Sequence, residues 1–140
     1  MPKLMLLTAA EKVLIEDSGN ASLLNVLSTI EIKHTGGGQI PENALSPKEW
    51  AVFAVWKAEK GDKGKTFKQH TKVIAPNGVE FGASTSEWVM EKPSQNIRLN
   101  VPGMPVGKAG DLTITISLEA NGKKIGSDYS YAISLIHAKA

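Results

Sequence analysis

The sequence predicts an all-β domain, an antiparallel two-sheet β-sandwich of about eight strands. Two observations lead to this prediction. Apolar residues alternate with polar ones along most of the 140-residue chain, as expected of strands that bury one face. Turn signals rich in glycine, asparagine and proline separate these runs, and no segment shows helical periodicity over a useful length. No domain boundary is visible, so residues 1–140 are predicted to form a single domain.

Three hairpins are predicted from turn signals that lie between alternating runs. The first joins EKVLIED to SLLNVLSTIEI through residues 17–20. The second turns at Pro76–Gly78, and the third turns at Asn121-Gly122 between LTITISL and KKIGSDYSYAISLI. Asn-Gly readily takes the positive φ angles that a tight turn requires. The run QNIRLNV is predicted as a further strand that leads into a loop rich in proline and glycine.

The run Trp50–Trp56, WAVFAVW, is apolar on both faces. This pattern indicates a central strand covered on both sides, or a strand whose outer face meets a partner. A buried helix is the alternative, but tryptophan, valine and phenylalanine favour the pleated state. The irregular segment 34–49 precedes this run, and a short helical turn is predicted near 43–49, because Ser46-Pro47 resembles an N-cap followed by a first-turn proline.

The residue types exclude several kinds of chemistry. The chain has no cysteine, so disulfides, thiolate metal sites and thiol nucleophiles are excluded. His34, His70 and His137 lack the spacing of zinc ligands, and we interpret His70 as part of a solvated strand face. Gly36–Gly38 lacks the Gly-Lys-Ser/Thr ending of a phosphate-binding loop. A triad built from distant positions stays open, but we expect a protein that is not an enzyme and that has no cofactor.

Charge and hydropathy indicate which classes of partner are not expected. The formal net charge of +2 is far from the strongly basic balance of nucleic-acid-binding proteins, so nucleic acid is not expected. No run of about 18 apolar residues is present, so no membrane span is expected and a cytoplasmic location is predicted. One cluster of cations is interpreted as protection of sheet edges and hairpin tips. It consists of Lys57, Lys60, Lys63, Lys65, Lys68 and Lys72.

Several strand-and-turn patterns resemble an uncharacterised bacterial and phage-associated family with a domain of unknown function. The segment EKVLIEDSGNASLLNVLSTIEI is similar to the opening hairpin of that family. WAVFAVWKAEKGDKGKTFKQHTKVIAPNGVEF resembles its aromatic strand and following turn, although Ala75 stands where the family usually has aspartate. GDLTITISLEANGKKIGSDYSYAI resembles its last hairpin. The resemblance implies a β-sandwich with no assigned activity.

We therefore expect a non-catalytic binding or assembly module, with a phage or virion structural component, such as a decoration or tail-associated protein, as the alternative. In the second case the protein is expected to be associated with the virion. A protein partner or a homo-oligomer is expected, because WAVFAVW is apolar on both faces and one face must be covered by loops, a short helix or another subunit. Tryptophan and methionine are enriched at interfaces, which selects the candidate contacts. The candidate partner contacts are Ile40, Leu45, Trp50, Trp56, Trp88 and Met90.

Overall fold

A computed structural model describes residues 1–34 and 40–139, which form nine β-strands. The strands are β1 Lys3–Ile15, β2 Ala21–Val26, β3 Thr29–His34, β4 Leu45–Lys57, β5 Thr66–Ile74, β6 Glu80–Val89, β7 Ser94–Pro105, β8 Gly110–Ala120 and β9 Lys123–Lys139. The described residues contain no helix, so no helix able to cross a membrane is found among them. The predicted all-β class is confirmed, with nine strands in place of about eight.

The strands form two sheets. The four-stranded sheet has the order β2-β1-β4-β7, and the five-stranded sheet has the order β3-β9-β8-β5-β6. Every neighbouring pair is antiparallel except β3 and β9, which run parallel from Thr29 opposite Ser134 to His34 opposite Lys139. The predicted two-sheet sandwich is therefore confirmed, but the expectation that it is wholly antiparallel is wrong for this pair.

The two sheets pack against each other around one shared core. Alternate residues of β4 enter this core from the four-stranded sheet, and Trp50 and Trp56 are the largest side chains that β4 contributes. The five-stranded sheet contributes apolar side chains at every second position of β8 and β9, such as Ile114 and Ile133. Burial of such side chains contributes about 1.5–3 kcal/mol each. The alternation that predicted the strands is thus the pattern that builds the core.

The predicted turns lie where the strands reverse. Gly78 has a φ of 87° between β5 and β6, and Asn121 and Gly122 have φ of 53° and 75° between β8 and β9. Gly19 has a φ of 90° between β1 and β2. These angles lie in the left-handed region, which glycine and asparagine adopt at low cost. The three predicted hairpin turns are confirmed.

Two local predictions are wrong. The run SLLNVLSTIEI is not one strand, because β2 ends at Val26 and β3 begins at Thr29 in the other sheet. The helical turn predicted near 43–49 is absent, since β4 begins at Leu45 and is already paired with β7 there. The hydroxyl of Ser46 accepts a hydrogen bond from the Lys48 amide at 3.2 Å, which is a local bond within the strand and not a helix cap.

Asp62 is a buried acid in the loop between β4 and β5, with 2% of its surface exposed. The Glu59 amide donates to its Oδ2 at 2.7 Å, and the terminal ammonium of Met1 lies 2.9 Å from its Oδ1. Burial acts to raise the pKa of Asp62, but the Glu59 amide, the terminal ammonium and Lys65 together lower it below its ordinary value of 3.8. Asp62 is therefore a charged anchor that organises this loop.

Candidate binding groove

The first hairpin crosses the outer face of the four-stranded sheet. Its distal part, residues 11–24, is called the hairpin arm here; pairing of β1 with β4 ends before it begins. Two side chains of β7 bind the backbone of this arm. Asn96 Nδ2 donates to the Gly19 carbonyl at 2.6 Å, and Arg98 donates to the Val13 carbonyl at 3.1 Å. These bonds hold the arm over β4 and β7.

A second, smaller apolar cluster fills the space beneath the hairpin arm. Val13 is 4% exposed and packs with Leu23 of the arm against Ala51 and Phe53 of β4. Phe53 is only 2% exposed, although it points away from the main core. The outer face of the run Trp50–Trp56 is thus covered by the chain's own hairpin. The prediction of a central strand covered on both sides is confirmed.

Beside the arm, the uncovered part of this sheet face forms an open groove of about 940 Å³. Its floor is formed by residues 49–51 of β4 and 100–102 of β7. Its wall is the hairpin arm, which contributes Lys12, Leu14 and Leu24. The volume falls within the range of about 300–1,000 Å³ usual for binding clefts. We call this feature the arm groove.

The wall of the arm groove exposes apolar surface. Leu14 is 44% exposed and Leu24 is 50% exposed, although both lie in paired strands. They alternate with Val13 and Leu23, which pack in the cluster beneath the arm. The arm therefore has two apolar faces, and only one of them is covered in the described structure.

The charges around the arm groove leave a small positive excess. Glu11 and Lys48 form an ion pair at its rim. The pKa of Glu11 is lowered from its ordinary value, mainly by the hydrogen bond from Lys48 and next by a side-chain hydrogen bond from Asn25. Lys12 and Arg98 are the remaining cations, and Glu49 is the remaining anion, so two positive groups stand against one negative group. The arrangement is complementary to a ligand that combines apolar and acidic groups.

A second, smaller pocket of about 250 Å³ lies at one end of the sandwich. Leu45 and Val79 line it and are 63% and 61% exposed, while Phe81 reaches from it into the main core. Gly107 closes one side because it packs directly on the backbone of residues 41–42. This pocket is apolar, but it is about a quarter of the volume of the arm groove.

The six predicted partner contacts do not come together at one surface. Trp50 and Trp56 are 2% and 1% exposed, Met90 is fully buried, and Trp88 is 8% exposed. These four side chains belong to the main core and present almost no surface to a partner in this structure. Leu45 lies in the end pocket, and Ile40 is half-buried just after the undescribed residues 35–39.

The two buried tryptophans of β4 also have internal partners for their indole groups. Trp50 Nε1 donates to the Gly103 carbonyl at 2.7 Å, and Trp56 Nε1 donates to Gln69 Oε1 at 2.8 Å. Gln69 Nε2 in turn donates a hydrogen bond to the Thr71 hydroxyl at 2.9 Å. Buried polar groups satisfied in this way stabilise the core and need no external acceptor. The sequence pattern that suggested an interface is explained by this core.

His70 on β5 lies apart from the other two histidines, whereas His34 and His137 lie in the paired strands β3 and β9. His70 lies on the outer face of the five-stranded sheet, 3.0 Å from Thr85 Oγ1 and 3.0 Å from Glu119 Oε1. His137 Nε2 lies 2.7 Å from the Val106 carbonyl. His34 ends β3, and Gly36–Gly38 falls outside the described residues. Within the described part of the chain, no three acidic or histidine side chains come close enough to hold a metal ion.

The lysine cluster is spread over a loop and two strands. On the outer face of β5, Lys68 Nζ lies 3.6 Å from Glu87 and 3.9 Å from Glu119, and Lys72 Nζ lies 3.9 Å from Glu80. These are exposed pairs of the kind that contributes about 0–1 kcal/mol. The carboxylates interleaved with these two lysines reduce the local positive charge of the β5 surface.

Sequence reasoning missed the residues of the arm groove. The signal that could have indicated them is the run Val13-Leu14-Ile15, which is apolar on both faces like the run of β4. The hairpin is held over the sheet by packing on β4 and by hydrogen bonds from β7, more than 70 residues away. Local alternation therefore could not show which face is covered. Leu24 and Arg98 were missed for the same reason.

Comparison with known proteins adds no identification. No family model matches the chain, and no curated protein matches it. The resemblance to the phage-associated family therefore stays a prediction.

Proposed function

We propose that the protein is a non-catalytic binding module, and that the arm groove holds an extended segment of a protein partner. The observation that carries this proposal is the pair of half-exposed leucines, Leu14 and Leu24, on the wall of a groove that also contains Lys12 and Arg98. Exposed apolar surface of this kind, rimmed by polar groups, is typical of interaction sites. The floor of the groove, formed by two adjacent strands, suits an extended chain.

The chemistry of the lining indicates the partner segment. An apolar side chain would bury itself against Leu14 and Leu24, and a carboxylate would lie near Lys12 and the unused donors of Arg98. Arg98 donates one hydrogen bond to the Val13 carbonyl and has further N–H groups available. We therefore expect a short segment that combines an acidic residue with leucine, isoleucine or phenylalanine.

A binding role fits the acid at the rim of the groove better than a catalytic role. Proton transfer is most efficient when the pKa of the base is close to the working pH. The pKa of Glu11 is shifted away from neutrality by Lys48, which makes the carboxylate a weaker base. Its partner Lys48 is held in the same ion pair. Both groups thus support the shape and charge of the groove.

A peptide selection tests the proposal. The wild-type protein is used to select from a display library of random peptides, and the enriched peptides are measured against variants by interferometry. Leu24→Ser and Lys12→Glu should each weaken binding by about tenfold or more, which corresponds to about 1.4 kcal/mol. Leu45→Ser is the matched control, because it removes another exposed leucine, which lines the end pocket. Peptides that tolerate Leu24→Ser but lose binding to Leu45→Ser would place the site at the end pocket and refute the proposal.

A structural role in a phage or virion is the second candidate. The edge strand β6 supports it, because among the described residues it pairs with β5 only, and an assembly protein must contact its neighbours over more than one surface. Sedimentation of lysate particles tests it: the protein should travel with phage-sized particles and should not be released by salt. Recovery of the protein only in the slow fractions would count against this role.

A further inference from the structure

In the described part of the chain the two sheets end in four edge strands, and three of them carry features that discourage pairing with another chain. β2 and β3 are six residues long, and β7 contains Pro102 and Pro105. Short strands and prolines are common protections of sheet edges. β6 differs, because it has ten residues and contains neither proline nor lysine. It pairs with β5 on one side and with no described strand on the other.

In addition, β6 pairs regularly with β5, and the side chains at its centre are small. From Gly82 to Val89 its pairing with β5 runs without a register shift. The four residues Ala83, Ser84, Thr85 and Ser86 at its centre are all small. A backbone with small side chains allows close approach of another extended strand, which could then bind all the free N–H and C=O groups along this edge.

We infer that β6 pairs antiparallel with β6 of a second copy of this chain, so that two five-stranded sheets join into one ten-stranded sheet. This inference goes beyond the proposed function and does not depend on the arm groove. Twofold symmetry places one residue opposite itself, and the arrangement that we infer has Thr85 on the twofold axis. Thr–Thr pairs across antiparallel strands are favourable.

This register is complementary in charge. It places Glu87 of each copy opposite Ala83 of the other, so the glutamates do not face each other. Lys72 pairs with Ala83 on the β5 side, and it therefore lies two strand spacings, about 10 Å, from Glu87 of the second copy. The small Ala83 side chain leaves room for Lys72 to reach across. Lys72 and Glu87 can both exchange partners, because the present pairs Lys72–Glu80 at 3.9 Å and Lys68–Glu87 at 3.6 Å are exposed.

A second copy is a better match for this edge than an unrelated strand, because both members of the ion pair are supplied by one sequence. Each dimer would contain two Lys72–Glu87 pairs related by symmetry, on the same sheet face as Thr85. An isologous interface of this kind closes on itself and leaves no further β6 edge exposed. The association would therefore stop at the dimer.

Disulfide trapping tests the register, because the chain contains no cysteine of its own. Thr85→Cys places two thiols on the twofold axis with Cα atoms about 5 Å apart, which is suitable for a disulfide. Ala83→Cys is the matched control on the same face of β6. Its two copies would be about 14 Å apart, four residues out of register, and could not be bridged. We expect most of the Thr85→Cys protein and little of the Ala83→Cys protein to become covalent dimer under mild oxidation.

Sedimentation equilibrium tests the association itself. Wild-type protein should be a dimer, and Thr85→Lys should weaken the dimer by about tenfold or more, because it places two like charges together on the axis. Ser130→Lys, on the same sheet face but on β9 and two strands away from Lys72, should leave the dimer unchanged. The inference would be overturned if the wild type stays monomeric up to high concentration. It would also be overturned if both cysteine variants are trapped equally, or if trapping occurs only with a different protein.

Discussion

Replacing Trp56 and Trp88 by phenylalanine, one at a time, should have unequal effects on stability. Both side chains are buried in the main core, and each ring has an aromatic neighbour at about the same distance. The centroid of Trp56 is 6.0 Å from that of Tyr129, and the centroid of Trp88 is 6.1 Å from that of Phe67. Their indole nitrogens differ. Trp56 Nε1 donates to Gln69, whereas Trp88 Nε1 is buried with no acceptor among the described residues.

The size of the difference follows from this contrast. Both substitutions remove the same atoms and leave similar space, so the packing losses nearly cancel in the comparison. Trp56→Phe also leaves Gln69 Oε1 as a buried acceptor without its donor, which costs about 1–3 kcal/mol. Trp88→Phe removes a donor that has no described partner, and its cost is reduced accordingly. We expect Trp56→Phe to be the more destabilising change by about 2 kcal/mol.

Urea unfolding followed by far-ultraviolet circular dichroism measures this difference. With a slope of about 2 kcal/mol per molar urea, the midpoints of the two variants should differ by about 1 M. Gln69→Met provides a control, since its cost should be smaller in the Trp56→Phe background than in the wild type. Equal midpoints for the two phenylalanine variants, or a lower midpoint for Trp88→Phe, would refute the reasoning.

Two further predictions concern backbone packing and acid stability. A Cβ at Gly107 would overlap the Glu42 carbonyl, so Gly107→Ala should lower the free energy of unfolding in urea by about 1–3 kcal/mol. Gly82 has open space around it, so Gly82→Ala should change this free energy by less than about 0.5 kcal/mol. The lowered pKa of Asp62 contributes stability that is fully present above its ordinary value of 3.8 and is lost as the pH falls through the folded value. Asp62→Asn should therefore lower the melting temperature at neutral pH and make it fall less steeply in acid; an unchanged slope would contradict this assignment.

The local part of the fold could be predicted from the sequence because it depends on neighbouring residues. Alternating apolar and polar residues, together with Asn-Gly turns, identified the hairpins that reverse at Gly78 and Gly122, and the structure contains both. The break between β2 and β3 could not be seen in the same way. It falls at Leu27 and Ser28, in a run without proline or glycine, and it depends on which sheet offers a neighbour.

The candidate site was harder to predict than the fold. Tryptophans were taken as interface candidates because of their type, but Trp50 and Trp56 bind acceptors inside the core. The arm groove depends on the bonds from Asn96 and Arg98 to a hairpin that lies far away in the sequence. Exposure of Leu14 results from that tertiary contact. No window of local sequence contains the residues that decide it.

The parallel pairing of β3 with β9 has a consequence for how the chain folds. Thr29 lies opposite Ser134, and the Tyr131 hydroxyl donates to the Leu27 carbonyl at 2.6 Å. The third strand to be synthesised must therefore wait for the ninth before it gains any neighbour in its sheet. Pairings so distant in sequence require the closure of long loops before they contribute contacts, and they are associated with folding in milliseconds to seconds. Until β9 is available, the β3 segment has no strand to pair with among the described residues, and unpaired strand edges are prone to aggregation.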